Sequence, residues 1–173
     1  MKDAIGRRLS QCKLQLHPER TRIVFCRNFK PPRENRYPES FDFLGFTFRQ
    51  RSAKGPTGNI FDGFLAGISQ TSRKKIADRI RYWRVGNSSD LSLMDMSEMY
   101  NPALRGWVNY YGKFHPQGLK PVYYQWNHGL TQWARRKYKR FCDHKGVAGK
   151  WIYQVSRRDP KLFAIWDHFA KQA

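Results

Sequence analysis

The carboxylates are the first place to look for chemistry, because two-metal phosphoryl transfer gathers them around ions about 4 Å apart. No Asp-Asp, Asp-x-Asp or Glu-x-x-His pair occurs, and acids such as Glu34, Asp90, Asp95 and Asp159 are scattered. Helix caps and surface ion pairs account for them. Metal binding through sulfur fares no better. The cysteines are Cys12, Cys26 and Cys142, without Cys-x-x-Cys spacing. Cys142-Asp143-His144 offers two ligands where a structural zinc needs four; a buried thiol beside a surface histidine is the expectation. An odd number of thiols also argues against a disulfide framework and for a reducing compartment. His115 and His128 read as polar loop or groove residues. Neither a Gly-x-Ser-x-Gly turn nor a phosphate-cradling Gly-x-x-x-x-Gly-Lys-[Ser/Thr] loop is present, and Ser69 reads as a helix cap. No metal site is expected.

The cations carry the signal. The 173 residues hold 33 Lys+Arg against 13 Asp+Glu, a net charge of +20. Such a balance works against compactness and is relieved by a polyanion. Arg73-Lys74-Lys75 with Arg79 and Arg81 would line one helix, and Arg135-Arg136-Lys137 with Lys139 and Arg140 would end another. A helix C-terminus is served by one or two cations; five within six residues point to phosphate contact. The chain also has 12 Phe, 9 Tyr and 6 Trp, more than a solvated surface needs, so some rings are core and others are free to stack on bases. Trp107, Tyr110 and Tyr111 fall on more than one helix face. No run approaches the roughly 20 apolar residues of a membrane span, and the N-terminus shows no secretory signal.

The elements that would position these groups change character near residue 69. A helix is expected over about Ala4–Lys13, then a buried strand Arg22–Cys26 and a Pro-rich loop over 30–40. Phe41–Phe48 alternates as a strand with Gly45 where a bulge or a close backbone approach would sit, and Asn59–Ile68 returns as its hairpin partner. Beyond Ser69 the period is helical: Ile76, Ile80 and Trp83; a short helix opened by Ser92 and Asp95; a second helix restarted at Asn101-Pro102; then the stripe Val122, Tyr123, Trp126, Leu130 and Trp133. The tail holds helices near Ala148–Val155 and after Asp159-Pro160. The fold class is α+β, mainly α: a short antiparallel β piece followed by a helical bundle.

Three runs occur in order: His17-Pro18-Glu19-Arg20-Thr21-Arg22-Ile23-Val24, Phe43-Leu44-Gly45-Phe46, and Asn101-Pro102-Ala103-Leu104-Arg105-Gly106-Trp107-Val108-Asn109-Tyr110-Tyr111. With Trp133–Tyr138 and Pro160–Trp166 they span nearly the whole chain, and together they resemble the C-terminal part of bacterial group II intron-encoded reverse transcriptase/maturases. The third run is the specific one. The resemblance implies that residues 1–69 are the end of a polymerase palm, with Phe43, Leu44, Gly45 and Phe46 in its primer grip. Residues 70–145 would be the thumb/maturase-specific helical domain and 146–173 a C-terminal helical extension.

It further implies group II intron RNA as partner, an RNA template/DNA primer duplex in the full-length protein, and a bacterial cytoplasmic setting without a membrane. The family's Tyr-Ala-Asp-Asp signature lies upstream, so Mg2+ is expected only in the full-length polymerase and no cofactor in this chain. Arg20 and Arg22 stand where the family commonly has lysine; arginine keeps the charge but donates protons poorly, leaving phosphate contact. Nucleic-acid contact is expected from Arg20, Arg22, Arg73, Lys74, Lys75, Arg79, Arg105, Lys113, Arg135, Arg136, Lys139 and Arg140. The maturase motif contributes Asn101, Pro102, Arg105, Gly106, Trp107, Asn109, Tyr110 and Tyr111. Two rival readings are a non-catalytic polymerase fragment acting as a generic clamp and a basic adaptor for acidic protein. Open strand edges in a truncated palm would favour self-association.

Overall fold

The computed structural model describes residues 2–19, 21, 23–24, 38–55 and 57–171. Arg20, Arg22 and most of the expected strand 22–26 and loop 30–40 lie outside them. Of that strand, Ile23 and Val24 are described; neither is in a strand, and Ile23 is exposed. Helix α1, Lys2–Gln11, buries no side chain.

Three strands follow, β1 Ser40–Phe43, β2 Phe46–Lys54 and β3 Ile60–Ile68, in an antiparallel sheet of order β1-β2-β3. The expected single strand Phe41–Phe48 is instead a hairpin. Leu44 and Gly45 turn the chain with φ of 47° and 80°, the pair of positive φ values a two-residue turn needs to match strand twist. Pairing of Phe43 with Phe46 and Phe41 with Phe48 keeps all four rings on one face. On one regular strand Phe41 and Phe43 would face away from Phe46 and Phe48; a bulge at Gly45 would reconcile them, and the two-residue turn does so instead. Phe41 stacks on Phe48 at 4.9 Å between ring centres. Gly45 is required twice over: its φ is left-handed, and a Cβ there would lie 2.9 Å from Ser72 Oγ.

Helix α2, Gln70–Tyr82, starts where β3 ends. The Ser69 side chain accepts from the Ser72 N–H, the N-cap the sequence calls for. Helix α3, Leu93–Tyr111, opens with a full capping box between Ser92 and Asp95. It then runs unbroken through Asn101-Pro102, where a restart was expected. Pro102 lacks the N–H that would bond the Glu98 carbonyl, but both residues are exposed, so water can serve that carbonyl. Asn101 does not cap α3, because its carboxamide is engaged elsewhere.

Helices α4 (Lys120–Lys137), α5 (Lys145–Arg158) and α6 (Ala164–Ala170) complete a mainly helical α+β fold. The stripe Val122, Trp126, Leu130 and Trp133 makes α4 the centre, packed against α2, α5 and the turn Val85–Asn87. A relay of rings then crosses the bundle: Trp107 on Trp83, Trp83 on Tyr100, Tyr100 on Trp126, Trp126 on Phe163, and Phe163 on Trp166. Burying a ring of this size contributes about 1.5–3 kcal/mol. Ile68 joins the same core, so the sheet is sewn to the helices at its last residue.

Candidate nucleic-acid interface

The two motif runs that lie far apart in sequence meet in space. The Tyr110 hydroxyl donates to the Leu44 carbonyl at 2.8 Å, and the Ser69 N–H donates to the Gly45 carbonyl at 2.9 Å. Phe46, buried under the turn, contacts Tyr110, Tyr111 and Phe114 at 5.1, 5.4 and 5.6 Å. Phe43 and Leu44 project outward, 58% and 69% exposed. Leu44 holds a left-handed φ with a bulky side chain, a strain of about 1–2 kcal/mol.

The Asn101–Tyr111 run has two faces. Inward, Asn101 Nδ2 donates to the Leu162 carbonyl at 2.8 Å while its Oδ1 accepts from the Ala164 N–H at 2.9 Å, clamping the start of α6. Leu104 is buried, and Trp107 stacks on Trp83 at 5.4 Å. Outward, Pro102, Arg105, Gly106, Asn109 and, beyond the helix end, Lys113 are all exposed. Their spacing makes them one stripe. A Cβ on Gly106 would meet nothing within 4 Å, so no internal packing explains that glycine.

The two basic clusters differ. On α2, Lys74, Lys75 and Arg79 are exposed and Arg73 half-buried. Lys75, Arg79 and Tyr82 form a ridge, with the Arg79 guanidinium 5.8 Å from the Tyr82 ring centre; Asp78 pairs with Arg81 at 2.5 Å instead. Among the described residues, none of Lys74, Lys75, Arg79, Arg105 and Lys113 is held in an ion pair. The second cluster is tied to loops. Arg135 donates from Nε and Nη2 to the Cys142 carbonyl at 3.1 and 2.9 Å. Arg136 donates to the Gly86 carbonyl at 2.9 Å and to the Asn87 side-chain oxygen. Lys137 donates to the Leu91 carbonyl at 2.7 Å. Arg140 lies 4.5 Å over the Phe141 ring, and Lys139 is exposed. Cys142, expected buried, is exposed, in the turn between the 3-10 segment Lys139–Phe141 and α5. Among the described residues no group of three or more His, Cys, Asp or Glu could hold a metal ion, and no helix is long and apolar enough to cross a membrane.

One cationic site was not legible in the sequence. Arg49 and Arg51 of β2, Arg73 of α2, His115, and Lys120 at the start of α4 line a cavity of about 310 Å³. Among the described residues, no acidic side chain lines it. The Arg51 guanidinium lies against Gly67, where a Cβ would sit 2.5 Å from Nη2, and the buried Arg51 Nε has no acceptor. Burial, then the charges of Arg49 and Arg73, lower the Arg51 pKa. Burial, then Arg51 and Arg49, lower that of His115. The advance signals were Arg73 in its basic run and the alternation of Arg49 and Arg51 along β2.

Residues 73–151 match the family model of the group II intron maturase-specific domain. No curated protein and no solved structure matches the chain. The matched stretch runs from Arg73 in α2 to Trp151 in α5 and contains both faces of the Asn101–Tyr111 run. Residues 73–151 are thus similar to a group II intron maturase-specific domain.

Proposed function

We propose that this chain binds structured group II intron RNA through the outer faces of α2 and α3, and so supports the splicing-competent fold of that RNA. The observation that carries this reading is the outer stripe of α3. The helix keeps Arg105, Gly106 and Asn109 in solvent, and Gly106 weakens the helix with no return from internal packing. A glycine there lets a partner's backbone approach closely. The Lys75–Arg79 ridge of α2 adds unpaired cations for phosphates. Recognition of this kind reads the shape and backbone of A-form RNA more than its base sequence.

In the full-length protein the same surfaces would clamp an RNA template/DNA primer duplex, with the exposed tip Phe43-Leu44 as primer grip. Self-association through the exposed sheet rings belongs to the same proposal. No catalytic step is assigned to this chain; among the described residues no three of His, Cys, Asp and Glu come together.

Neutralising Lys75 and Arg79 together to glutamine tests the reading. Each lost phosphate contact should lower the slope of log K against log[salt] by about 0.7–0.9. Intron RNA affinity unchanged at every salt concentration would sink it.

A further inference from the structure

Resting on the nucleic-acid reading above, we propose that the cavity between the sheet and the start of α4 seats one phosphodiester of the bound backbone, held by Arg49, Arg51, Arg73 and Lys120. Four cations and an imidazole converge there with no carboxylate among the described lining residues. Like charges at such close quarters are tolerated when an anion sits between them. Arg51 adds a specific demand. Its buried Nε–H has no acceptor on the protein, and a buried charged donor left unmade is costly. The strand gives up a side chain to hold that guanidinium in place: at Gly67 a Cβ would meet Nη2 at 2.5 Å and Cζ at 2.8 Å. A glycine inside a strand weakens it and marks a close approach.

Besides the cations and the His115 imidazole, the described lining holds Ile68, Gln117, Gly118 and Pro121, and the convergent positive charge suits a phosphate. The members come from β2, α2 and α4. A phosphate seated there would therefore register the nucleic acid against both the sheet and the bundle, a fixed point between hairpin tip and helical face.

The test uses the whole chain and three variants: Gly67→Ala, Arg51→Gln and Lys120→Gln. Gly67→Ala is the sharpest, because it displaces the Arg51 guanidinium without changing net charge. Lys120 is exposed, so its variant guards against a folding defect. Inorganic phosphate is titrated first while the Arg51 Nε–H and His115 side-chain NMR signals are followed. A saturable shift in the wild-type chain, weakened in all three variants, is expected. A structured RNA is then bound across a salt series, where each variant should lower the log–log slope by about 0.7–0.9 and weaken all RNAs alike. No saturable phosphate shift, or unaltered RNA slopes in all three variants, would overturn the proposal. Failure of the wild-type chain to bind any RNA would instead overturn the nucleic-acid reading, a result the phosphate arm separates from failure of the pocket.

Discussion

The Tyr110 hydroxyl and the Leu44 carbonyl, 66 residues apart in the chain, are joined by a 2.8 Å hydrogen bond. That bond fixes the tip of the β1–β2 hairpin to the last turn of α3, so the sheet and the matched helical region present their exposed side chains as one surface. Tyr110→Phe removes the hydroxyl and leaves the ring on Phe46; denaturant unfolding should show a loss of about 0.5–1 kcal/mol. Gly45→Ala should cost more, about 1–2 kcal/mol from its left-handed φ alone, with crowding against Ser72 Oγ added. Leu44→Asn should go the other way, because asparagine accepts that conformation readily, while removing the exposed apolar tip.

Asn101 supplies both halves of a clamp on the backbone of residues 162 and 164. Asn101→Ala should destabilise the chain by about 2 kcal/mol, two half-buried hydrogen bonds being lost. Asn101→Asp keeps the acceptor for the Ala164 N–H but turns an oxygen toward the Leu162 carbonyl. Thermal melts should rank it no better than alanine; a near-wild-type Asp variant would deny the clamp.

Gly106→Ala should separate stability from binding. In an exposed helix interior the change gains about 1 kcal/mol, and nothing in the chain opposes a Cβ there. The same methyl would stand between α3 and a closely approaching RNA backbone. A higher melting temperature with weaker intron RNA binding is the expected pair of results. Stabilisation with unchanged affinity would remove the α3 stripe from the interface.

The imidazole of His115 faces Arg49, Arg51, Arg73 and Lys120 across the cavity, with Gln117 beside it. Burial and the neighbouring guanidiniums hold its pKa below the ordinary 6.5. Protonation is thus disfavoured in the folded state, and the stability this confers is present above that value and fades as pH falls through the lowered one. A bound phosphodiester offsets part of the local positive charge and raises the pKa, so binding takes up a proton. RNA affinity should therefore rise as pH drops from about 7 toward 5, and His115→Gln should flatten that profile.

What was legible in the sequence was local. Ser69, the Ser92/Asp95 box and the Val122–Trp133 stripe each sit within a few residues of the partners that define them, and each stands as expected. Features with distant partners were not legible. Asn101-Pro102 looks like a helix start because its true partners, at 162 and 164, cannot be inferred from its neighbours. Leu44-Gly45 passes for a bulge because a bulge and a two-residue turn both account for the odd-to-even shift of the rings between Phe43 and Phe46. Arg135 and Arg136 look like free cations, yet both bond carbonyls of adjoining loops. The cavity at Arg51 draws on three separate elements, and only Arg73 belongs to a run that stands out.

The most direct test of the central claim compares binding of the whole chain to a folded group II intron RNA and to a size-matched unrelated structured RNA across a salt series. A steep salt dependence with a preference for the intron RNA that survives at high salt is the predicted result. Equal affinity for both RNAs, fading together as salt rises, would contradict it and reduce these helices to a generic electrostatic clamp.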